Sequence, residues 1–423
     1  MLKSHISLRT VSVPVLLAVL LSSLGPLPVL AGPHHGKEVP GRYIILLKEG
    51  VDADTVARRH GLVVEHRYEK VVRGFSAGGG LGKFQALKDD SDIVLVEPDR
   101  IVETFAQTLP TGVHRIDADL SGTAKINGTD ERVDVDIAII DTGIQGNHPD
   151  LNVVGGYNCT GRKTSDWKDG NGHGTHVAGT AAAKDDGNGV VGVAPGARLW
   201  SVRVLGSNGS GFLSWVICGV DWVTKNAGTI DVANMSLGGE FVSTALNEAL
   251  AKSIAAGVTY AVAAGNSDKD AASFSPANHP DVLAVSALAD SDGRCGALGP
   301  ATSYGADDTR ATFSNFGPIV DIAAPGVSIL STYKGGSYAK LSGTSMASPH
   351  VAGSAALYVA SHGRDVNGDS LINAADVYAI QSALVGGGVS QTQTCDTSLA
   401  GGFGGFTGDP DGLHEPMVYA KSF

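Results

Sequence analysis

The stretch Leu341-Ser342-Gly343-Thr344-Ser345-Met346-Ala347-Ser348-Pro349-His350 decides how the rest of the chain is interpreted. Small, turn-forming residues lead into an Ala/Val/Leu-rich run over residues 351–360, which predicts a helix. Ser345 is therefore expected in the first helical turn, where free backbone N–H groups and the helix dipole favour negative charge. A serine hydroxyl placed there can attack a carbonyl group while the N–H of the same residue binds the oxyanion. The alternative is an ordinary Ser/Thr helix cap, so the other motifs must decide.

The composition is that of a compact, loop-rich α/β enzyme. With 423 residues, of which 43% are hydrophobic and 17% charged, the chain can bury a large core and is expected to form more than one folding unit. Its net charge of −12 argues against nucleic acid as a partner. The acidity lies after Phe105, where 18 basic and 31 acidic residues remain, and cation sites could use it.

The first 31 residues have the pattern of a secretory signal peptide. Lys3 and Arg9 precede and flank an apolar run over residues 11–21, and the small-residue end Val29-Leu30-Ala31 predicts cleavage after Ala31. A membrane anchor is the alternative, but serines, a glycine and a proline interrupt the run before it could span a bilayer. No later stretch is long and apolar enough, so a secreted protein without membrane contact is predicted.

Residues 41–103 predict a small domain of their own. The pattern gives strands at 43–47, 62–68, 71–76 and 93–97 and helices at 53–60 and 84–88. The order β-α-β-β-α-β is that of a ferredoxin-like α+β sandwich. Because this segment lies between a signal peptide and a larger body, residues 32–105 are interpreted as a pro-segment.

A different pattern follows, in which apolar runs alternate with helical stretches. The runs cover residues 133–140, 199–205, 230–235, 258–263, 282–285 and 320–323, and the helical stretches cover 212–225, 243–255 and 345–360. This alternation predicts a mostly parallel sheet with helices on both faces, a three-layer α/β fold. In such sheets active residues gather at the carboxyl ends of the strands, and Asp141 stands at one of these ends.

Two further motifs carry chemistry. The segment Asp169-Gly170-Asn171-Gly172-His173-Gly174-Thr175-His176 leads into an apolar helix with both histidines at its start. A zinc pair is the alternative, but the peptidase pattern needs histidines four residues apart and an adjacent Glu, and neither is present. Asn266 follows the run that ends in Ala263-Ala264-Gly265 and offers a side-chain amide at the same sheet edge.

Together these motifs resemble those of the subtilisin family of serine endopeptidases. Their acid, imidazole and hydroxyl occur in the chain order Asp, His, Ser that separates this family from other triad enzymes. The likeness extends over roughly residues 41–361 and implies a catalytic domain at 106–361, preceded by an inhibitory pro-domain. The matching motifs are Asp141-Thr142-Gly143-Ile144, residues 173–180, Ser236-Leu237-Gly238-Gly239, Ala263-Ala264-Gly265-Asn266 and Gly343-Thr344-Ser345-Met346-Ala347.

The resemblance assigns a role to each catalytic position. Ser345 is expected as the nucleophile, His173 as its general base and later the acid, and Asp141 as the group that orients and stabilises the imidazolium. The side-chain amide of Asn266 and the N–H of Ser345 would form the oxyanion hole. His176 is expected to be structural.

The resemblance also implies how a peptide substrate binds. An extended peptide would lie between Gly209-Ser210-Gly211 and Ser236-Leu237-Gly238 and make backbone hydrogen bonds to both. Ala263, Ala264 and Gly265 would leave room in the first pocket for a large apolar residue. An outer apolar pocket would be lined by Leu213, Val216 and Leu237, although the last two are equally well explained as ordinary core. Self-cleavage is expected between Phe105 and Ala106, with Phe105 in the first pocket and Val102 in the outer one.

The loop over residues 184–190 matches a structural calcium loop of the family in length and position. Carboxylate and carbonyl oxygens are the ligands that Ca²⁺ prefers. The implied ligands are side chains of Gln107, Asp150 and Asp186, with oxygens of Lys184, Asn188 and Val190. A polar hairpin without an ion is the alternative.

Residues 362–423 form an extension that departs from the family. Asp365, Asn367, Asp369, the carbonyl of Leu371 and Asp376 occupy the ligand positions of an EF-hand-like loop, but Ser370 replaces its glycine and Asp376 its bidentate Glu. Dockerins carry two such loops and this chain carries one, so the loop is interpreted as a brace between two helices, the second at 374–384. The Gly-rich tail at 401–408 is predicted to be a flexible cap.

Secretion makes the four cysteines candidates for two disulfides, and their number alone allows three pairings. The resemblance places Cys159 and Cys218 in the core and Cys295 and Cys395 in peripheral segments. It therefore implies the pairs Cys159–Cys218 and Cys295–Cys395.

The predicted function is that of a secreted, calcium-stabilised, monomeric serine endopeptidase that acts on protein and peptide substrates and is inhibited by its own pro-domain. A calcium-dependent binding module on an inactive peptidase fold is a second hypothesis, and an esterase is a third. Labelling of Ser345 by a serine-directed phosphonate separates the first two, and a comparison of ester and casein hydrolysis tests the third.

Overall fold

The computed structural model describes residues 38–79, 86–100, 107–397 and 403–423. The chain divides into two compact units, Met1–Thr104 and Phe105–Phe423. The predicted signal peptide and the predicted cleavage point after Phe105 lie outside the described residues. Of the helices in the described ranges, none is both long enough and apolar enough to cross a bilayer.

The first unit contains a four-stranded antiparallel sheet with the strand order β2-β3-β1-β4. Its elements are β1 (Glu38–Leu47), α1 (Ala53–Arg59), β2 (Val63–Tyr68), β3 (Gly74–Gly78) and β4 (Ile93–Arg100). Helix α1 begins where predicted because the carboxylate of Asp52 accepts the N–H of Thr55 at 2.8 Å and so caps it. Ile45, Val56 and Phe75 are buried between helix and sheet. This strand order is that of the predicted ferredoxin-like sandwich, whose second predicted helix, at residues 84–88, lies partly outside the described residues.

The second unit is built from twelve further strands and six helices among its described residues. The helices are α2 (Thr111–Arg115), α3 (His173–Ala182), α4 (Leu213–Lys225), α5 (Thr244–Ala255), α6 (Thr344–His362) and α7 (Ala374–Gly386). The strands are β5 (Asp136–Asp141), β6 (Val153–Asn158), β7 (Arg198–Arg203), β8 (Val232–Met235), β9 (Gly239–Glu240), β10 (Thr259–Ala263), β11 (Phe274–Ser275), β12 (Leu283–Ala289), β13 (Thr309–Arg310), β14 (Ile322–Pro325), β15 (Ile329–Tyr333) and β16 (Ser337–Leu341).

Eight of these strands form one sheet, in the order β13-β12-β10-β8-β5-β7-β6, with β14 also paired to β12. Every pairing in it is parallel except that of β13. The parallel strands point the same way, so the residues that follow β5, β8 and β10 meet at one edge of the sheet. The three-layer α/β prediction is therefore confirmed.

Side-chain alternation along β5 explains the two helical layers. Ile137 and Ile139 belong to one core cluster, and Ala138 and Ile140 belong to another, because successive side chains of a strand point to opposite faces. Helices α3 and α6 cover the first face and α4 and α5 cover the second. Both faces are buried, so the strand is a nearly continuous apolar run.

The alternation pattern missed the short antiparallel pair β15–β16. Its turn at Gly335 and Gly336 has φ values of 85° and 69°, a conformation that glycine adopts without strain. The second strand ends at Leu341, three residues before helix α6. The pair thus delivers the chain to the nucleophile stretch from a fixed direction.

The prediction that the Gly-rich tail is a flexible cap is wrong for its described part, residues 403–408. Phe406 is 2% exposed and packs with Val389 and Met417. A Cβ at Gly405 would lie 2.1 Å from the carbonyl oxygen of Gln391, and one at Gly404 would lie 2.6 Å from the Cα of Cys395. The glycines therefore serve close backbone packing and not flexibility.

Both predicted disulfides are present. Cys159 pairs with Cys218 of helix α4, and Cys295 pairs with Cys395 across 100 residues of sequence. The second bond ties the long connection between β12 and β13 to the C-terminal extension. No cysteine in the described ranges is free.

Candidate active site

Asp141 and His173 form the best-defined polar contact at the carboxyl edge of the sheet. Asp141 is the last residue of β5 and its side chain is fully buried, whereas the side chain of His173, the first residue of α3, is 26% exposed. Nδ1 of His173 lies 2.8 Å from Oδ1 and 3.0 Å from Oδ2 of Asp141. This contact holds the imidazole with Nε2 free for another partner.

The electrostatic surroundings of His173 favour the imidazolium. Burial on its own lowers the pKa of His173, but the charge of Asp141, the hydrogen bond to it and the charge of Asp169 together raise the pKa above its usual value. An imidazole that is strengthened as a base in this way is suited to take a proton from a hydroxyl group.

Ser345 lies in the first turn of α6, as predicted, and is the second residue of this helix. Its backbone carbonyl is bonded by a side chain from outside the helix. Pro349 lacks the N–H that would bond the carbonyl of Ser345 one turn earlier in the helix. The hydroxyl of Ser236 donates to that carbonyl instead, at 2.8 Å. The proline therefore leaves an acceptor that anchors the nucleophile turn to the segment after β8.

The hydroxyl of Ser345 donates to the carbonyl of Ser236 at 3.2 Å in this rotamer. Transfer of this proton to the imidazole of His173 therefore needs a change of the Ser345 rotamer. Catalytic hydrogen bonds are often loose when no substrate is bound. His173 and Ser345 line two adjoining cavities that share Leu237 and Gly238, so the imidazole and the hydroxyl belong to one cleft.

Thr344, the residue that precedes the nucleophile Ser345, orients the side chain of Asn266. Its Oδ1 accepts the backbone N–H of Thr344 at 2.8 Å and the hydroxyl of Thr344 at 3.0 Å. With Oδ1 engaged in this way, the Nδ2 group is the remaining donor of the side chain. A fixed amide donor beside the N–H groups at the start of α6 is the arrangement that an oxyanion hole requires.

His176 has the structural role that was predicted for it. It is fully buried, and its Nε2 lies 2.9 Å from the carbonyl oxygen of Ile329 and 3.1 Å from that of Ala339. Burial lowers the pKa of His176 to about 4. The ring therefore stays neutral near pH 7 and joins helix α3 to the β15–β16 pair.

A cleft with two cavities adjoins these residues. The outer cavity, of about 440 Å³, lies between the two predicted backbone edges and is lined by His173, Gly209, Ser210, Gly211, Leu213, Val216, Ser236, Leu237 and Gly238. Phe212, Phe241 and Leu246 also line it and were not predicted; Phe212 is 64% and Phe241 44% exposed. All three are apolar in the sequence, but no periodic pattern of apolar residues marks a residue as part of a cleft.

The inner cavity, of about 270 Å³, is lined by Ala263, Ala264, Gly265, Asn266 and Ser345, among others. Gly265 has a φ of 109°, and a Cβ there would lie 2.4 Å from Nδ2 of Asn315. The small residues predicted for the first pocket thus do line a cavity next to Ser345. An ion pair between Lys269 and Glu240, 2.7 Å apart, stands near it and was not foreseen.

The loop at residues 184–190 brings oxygen atoms together around a buried carboxylate. Asp150 is 2% exposed, its Oδ2 accepts the N–H of Val190 at 3.0 Å, and its Oδ1 has no hydrogen-bond partner. Burial, followed by the charge of Asp186, raises the pKa of Asp150 to about 7. A buried carboxyl group with one unpartnered oxygen and a raised pKa fits a cation site.

Gln107 reaches the same loop in a different orientation from the one that was implied. Its Nε2 donates to the carbonyls of Lys184 at 2.7 Å and Val190 at 3.3 Å. These two carbonyls therefore converge on one point, as cation ligands must. A cation there would need the amide turned so that Oε1 faces it. Asn188 instead bonds the carboxylate of Asp186 through its N–H at 3.1 Å.

The EF-hand-like loop is bonded to itself. The carboxylate of Asp365 accepts the N–H groups of Asp369 and Ser370, and Asp369 accepts that of Leu371. Asp376, 1% exposed, accepts N–H groups of Val366, Asn367 and Asn373 and completes a capping box at the start of α7. These contacts support its interpretation as a brace. The carbonyl of Leu371 is taken by the side chain of Asn373 at 3.2 Å.

One group of three acidic residues in the described ranges, outside both loops, brings carboxylate oxygens within 4.8 Å of one another, namely Asp290, Asp292 and Asp307. The guanidinium of the fully buried Arg115 lies 3.0 Å from Asp290. Backbone N–H groups of Ser291 and Gly299 bond Asp307 at 2.8 and 2.7 Å. Arg115 therefore offsets part of the negative charge of this group, although burial still raises the pKa of Asp290 to about 7.

Comparisons with known proteins agree with this geometry. The model of the Subtilase family matches residues 133–385. Subtilisin E of Bacillus subtilis is 39% identical over 329 residues, which cover 76% of this chain and 81% of that protein. A thermostable alkaline protease of Halalkalibacterium halodurans is 36% identical over 376 residues, 88% of this chain and 97% of that one.

Among solved structures, a cold-adapted subtilisin-like serine proteinase superposes with a TM-score of 0.53 at 34% identity, over 73% of this chain and 97% of that one. The matched family region contains the strand ends and both helix starts that carry Asp141, His173 and Ser345. The chain therefore belongs to the subtilase family and is a serine endopeptidase.

Proposed function

We propose that Ser345, His173 and Asp141 form the catalytic triad of this endopeptidase, with Asn266 and the N–H of Ser345 as the oxyanion hole. The observation that carries the proposal is the pair of contacts, 2.8 and 3.0 Å, between His173 and the buried Asp141, with His173 in the cavity that adjoins the cavity of Ser345. A buried carboxylate held against one imidazole nitrogen has its main use in leaving the other nitrogen as a base.

The chemistry follows from these positions. His173 takes the proton of the Ser345 hydroxyl as Oγ attacks the peptide carbonyl, and the carbonyl oxygen becomes an oxyanion. The Nδ2 group of Asn266 and the N–H of Ser345 donate hydrogen bonds to that oxyanion. His173 then gives the proton to the leaving amine, and water hydrolyses the acyl-enzyme by the same steps in reverse order.

The test uses a serine-directed phosphonate and two serine variants. Wild-type enzyme is expected to be labelled at Ser345, and Ser345→Ala is expected to lose more than about 10³-fold in kcat because the nucleophile is gone. Ser361→Ala, at the exposed far end of the same helix, should keep full activity. An unlabelled wild type would favour a binding module on an inactive fold and would refute the triad.

We propose further that the enzyme is of broad specificity and prefers a large apolar residue on the acyl side of the scissile bond. The small walls of the inner cavity, Ala263, Ala264 and Gly265, support this preference. The apolar lining of the outer cavity, which includes Leu213 and Leu237, supports a second apolar position further from the scissile bond. Peptide substrates that differ only at these two positions test the preference, and equal cleavage of Phe and Asp at the first would contradict it.

Self-cleavage after Phe105 is the maturation step that we propose. Phe105 would enter the inner cavity and Val102 the outer one, which agrees with the apolar character of both. The residues before Phe105 would then act as an inhibitor of their own enzyme. N-terminal sequencing of secreted wild type should give Ala106, whereas Ser345→Ala should stay joined to its pro-segment. A start far from Ala106 would refute this assignment.

Calcium is the cation proposed for the first loop, held by side chains of Asp150, Asp186 and Gln107 with oxygens of Lys184, Asn188 and Val190. The unpartnered Oδ1 of Asp150 supports this choice. When bound, Ca²⁺ would supply structural charge compensation and take no part in the reaction. The signal-peptide pattern supports secretion, and we propose a monomer that acts on proteins and peptides.

A further inference from the structure

Helix α3, which carries His173, begins without a cap of its own. Its N-cap residue is Gly172, in the left-handed region with a φ of 112°, and no side chain at that position bonds the helix. The first N–H groups of a helix need acceptors from elsewhere. Three side chains outside the helix provide them: Asn171 accepts the N–H of His173, Thr142 that of Gly174, and Asp169 that of Thr175.

Asp169 accepts one N–H group of the helix and also bonds backbone N–H groups of the residues just before it. Its Oδ1 accepts the N–H of Gly172 at 2.8 Å and its Oδ2 accepts the N–H of Thr175 at 3.0 Å. The hydroxyl of Thr175 donates to Oδ2 as well, at 2.6 Å. Asp169 is 3% exposed, so these are desolvated bonds to an ionised acceptor at the positive end of a helix.

Thr142 connects this cap to Asp141. Its hydroxyl donates to Oδ1 of Asp169 at 2.9 Å and accepts the N–H of Gly174, the second residue of the helix, at 2.9 Å. Its backbone N–H bonds Oδ1 of Asp141 at 2.6 Å. One continuous network therefore links the orienting carboxylate to the helix start that carries the imidazole.

Resting on the triad assignment above, we propose that Asp169 is a positioning residue: through Thr142 it fixes the start of helix α3 so that His173 stays aligned with Asp141. Its buried negative charge also favours the imidazolium that forms during acylation, in addition to Asp141. The titratable groups that face His173 are Asp141 and Asp169, with His176 one turn along the same helix.

The test compares pH–rate profiles of Asp169→Asn and a matched control. The amide keeps the size of the side chain but removes its charge and one acceptor oxygen. We expect kcat to fall about tenfold or more with KM nearly unchanged, because small misplacements of catalytic groups are costly. The acid limb of kcat should also move down by roughly half a pH unit, because one of the two charges that favour the imidazolium is gone.

Asp231→Asn is the control. Asp231 is also buried and also bonds a backbone N–H, that of Asp136 at 2.9 Å, but it lies at the opposite end of the strands. It should lower thermal stability and leave both kcat and the acid limb unchanged. An Asp169→Asn enzyme with the wild-type acid limb and kcat would overturn the proposal.

Thr142→Val and Thr142→Ser keep the proposal testable if Asp169→Asn fails to fold. The valine removes the hydroxyl bridge and should lower kcat several-fold, while the serine keeps the bridge and should retain kcat. Equal kcat values for the two would overturn the proposal. Phosphonate labelling of the wild type separates this outcome from failure of the triad assignment, since an unlabelled wild type refutes the triad itself.

Discussion

Two acidic loops of this protein resemble cation sites in sequence but differ in structure. At residues 184–190 the carbonyls of Lys184 and Val190 converge near Asp150, whose Oδ1 is buried without a hydrogen-bond partner. At residues 365–376 the loop's own backbone N–H groups bond the carboxylates of Asp365, Asp369 and Asp376. In the first loop one buried carboxylate oxygen has no hydrogen-bond donor, whereas in the second loop backbone N–H groups bond the carboxylates.

The difference shows that spacing of acidic residues does not by itself define a cation site. A carboxylate whose oxygens are bonded by backbone N–H groups gains little from an ion, whereas a buried one with an unpartnered oxygen carries a desolvation cost that an ion lowers. The raised pKa of Asp150, about 7, expresses that cost. Calcium dependence is therefore expected to be concentrated in the first loop.

The largest expected effect comes from removal of calcium and from Asp150→Asn. Saturating Ca²⁺ at about 100 times its dissociation constant should stabilise the phosphonate-inactivated enzyme by about 2.7 kcal/mol, and a chelator should remove this. In Asp150→Asn most of the calcium-linked shift should be lost. In chelator the variant should unfold at or above the wild-type temperature, because the neutral amide avoids burial of a charge.

The unfolding temperatures of the wild type and of Asp150→Asn, each measured with calcium and with chelator, test this expectation. Glu415→Gln is the matched control, since Glu415 is also a buried carboxyl with a pKa raised by burial to about 7 but bonds Ser286 and Gln391. It should keep the full calcium-linked shift. An Asp150→Asn enzyme with an undiminished shift would remove the basis of the comparison.

An intermediate effect is expected for Asp376→Ala in the second loop. Loss of the capping box and of the bonds to Val366 and Asn367 should cost about 1–2 kcal/mol of unfolding free energy, equally with and without calcium. Glu248→Ala, an exposed carboxylate on helix α5, should change stability far less. If the cost of Asp376→Ala appeared only in calcium, the second loop would be a cation site after all.

The smallest effect is expected for Asp369→Asn. The amide oxygen can still accept the N–H of Leu371, and the site is exposed, so stability should change by less than about 0.5 kcal/mol. Calcium titration by calorimetry before and after the substitution checks this. A loss of bound calcium in this variant would contradict the contrast between the loops more directly than any stability value.

The sequence predicted those parts of the molecule that follow from short-range pattern. Apolar runs gave the parallel strands, and the ends of these runs gave Asp141 and Asn266. The sequence did not predict features that depend on long-range packing. Gly404 and Gly405 are one example, because a glycine in a flexible linker and a glycine in a close backbone contact cannot be told apart by residue type. The role of Asp169 was not predicted either, although a helix whose N-cap is glycine needs hydrogen-bond acceptors from other residues for its first N–H groups.

The fully buried Arg115 joins three segments that are far apart in the chain. Its guanidinium contacts Asp290 and Asp308 in the long β12–β13 connection and the carbonyls of Gly404 and Gly405 in the C-terminal extension. Any chimera that grafted one of these segments onto a relative would have to carry all three. A partial graft would leave a cation or its counter-charges stranded in the interior, at a cost of several kcal/mol that exceeds what one loop exchange normally tolerates.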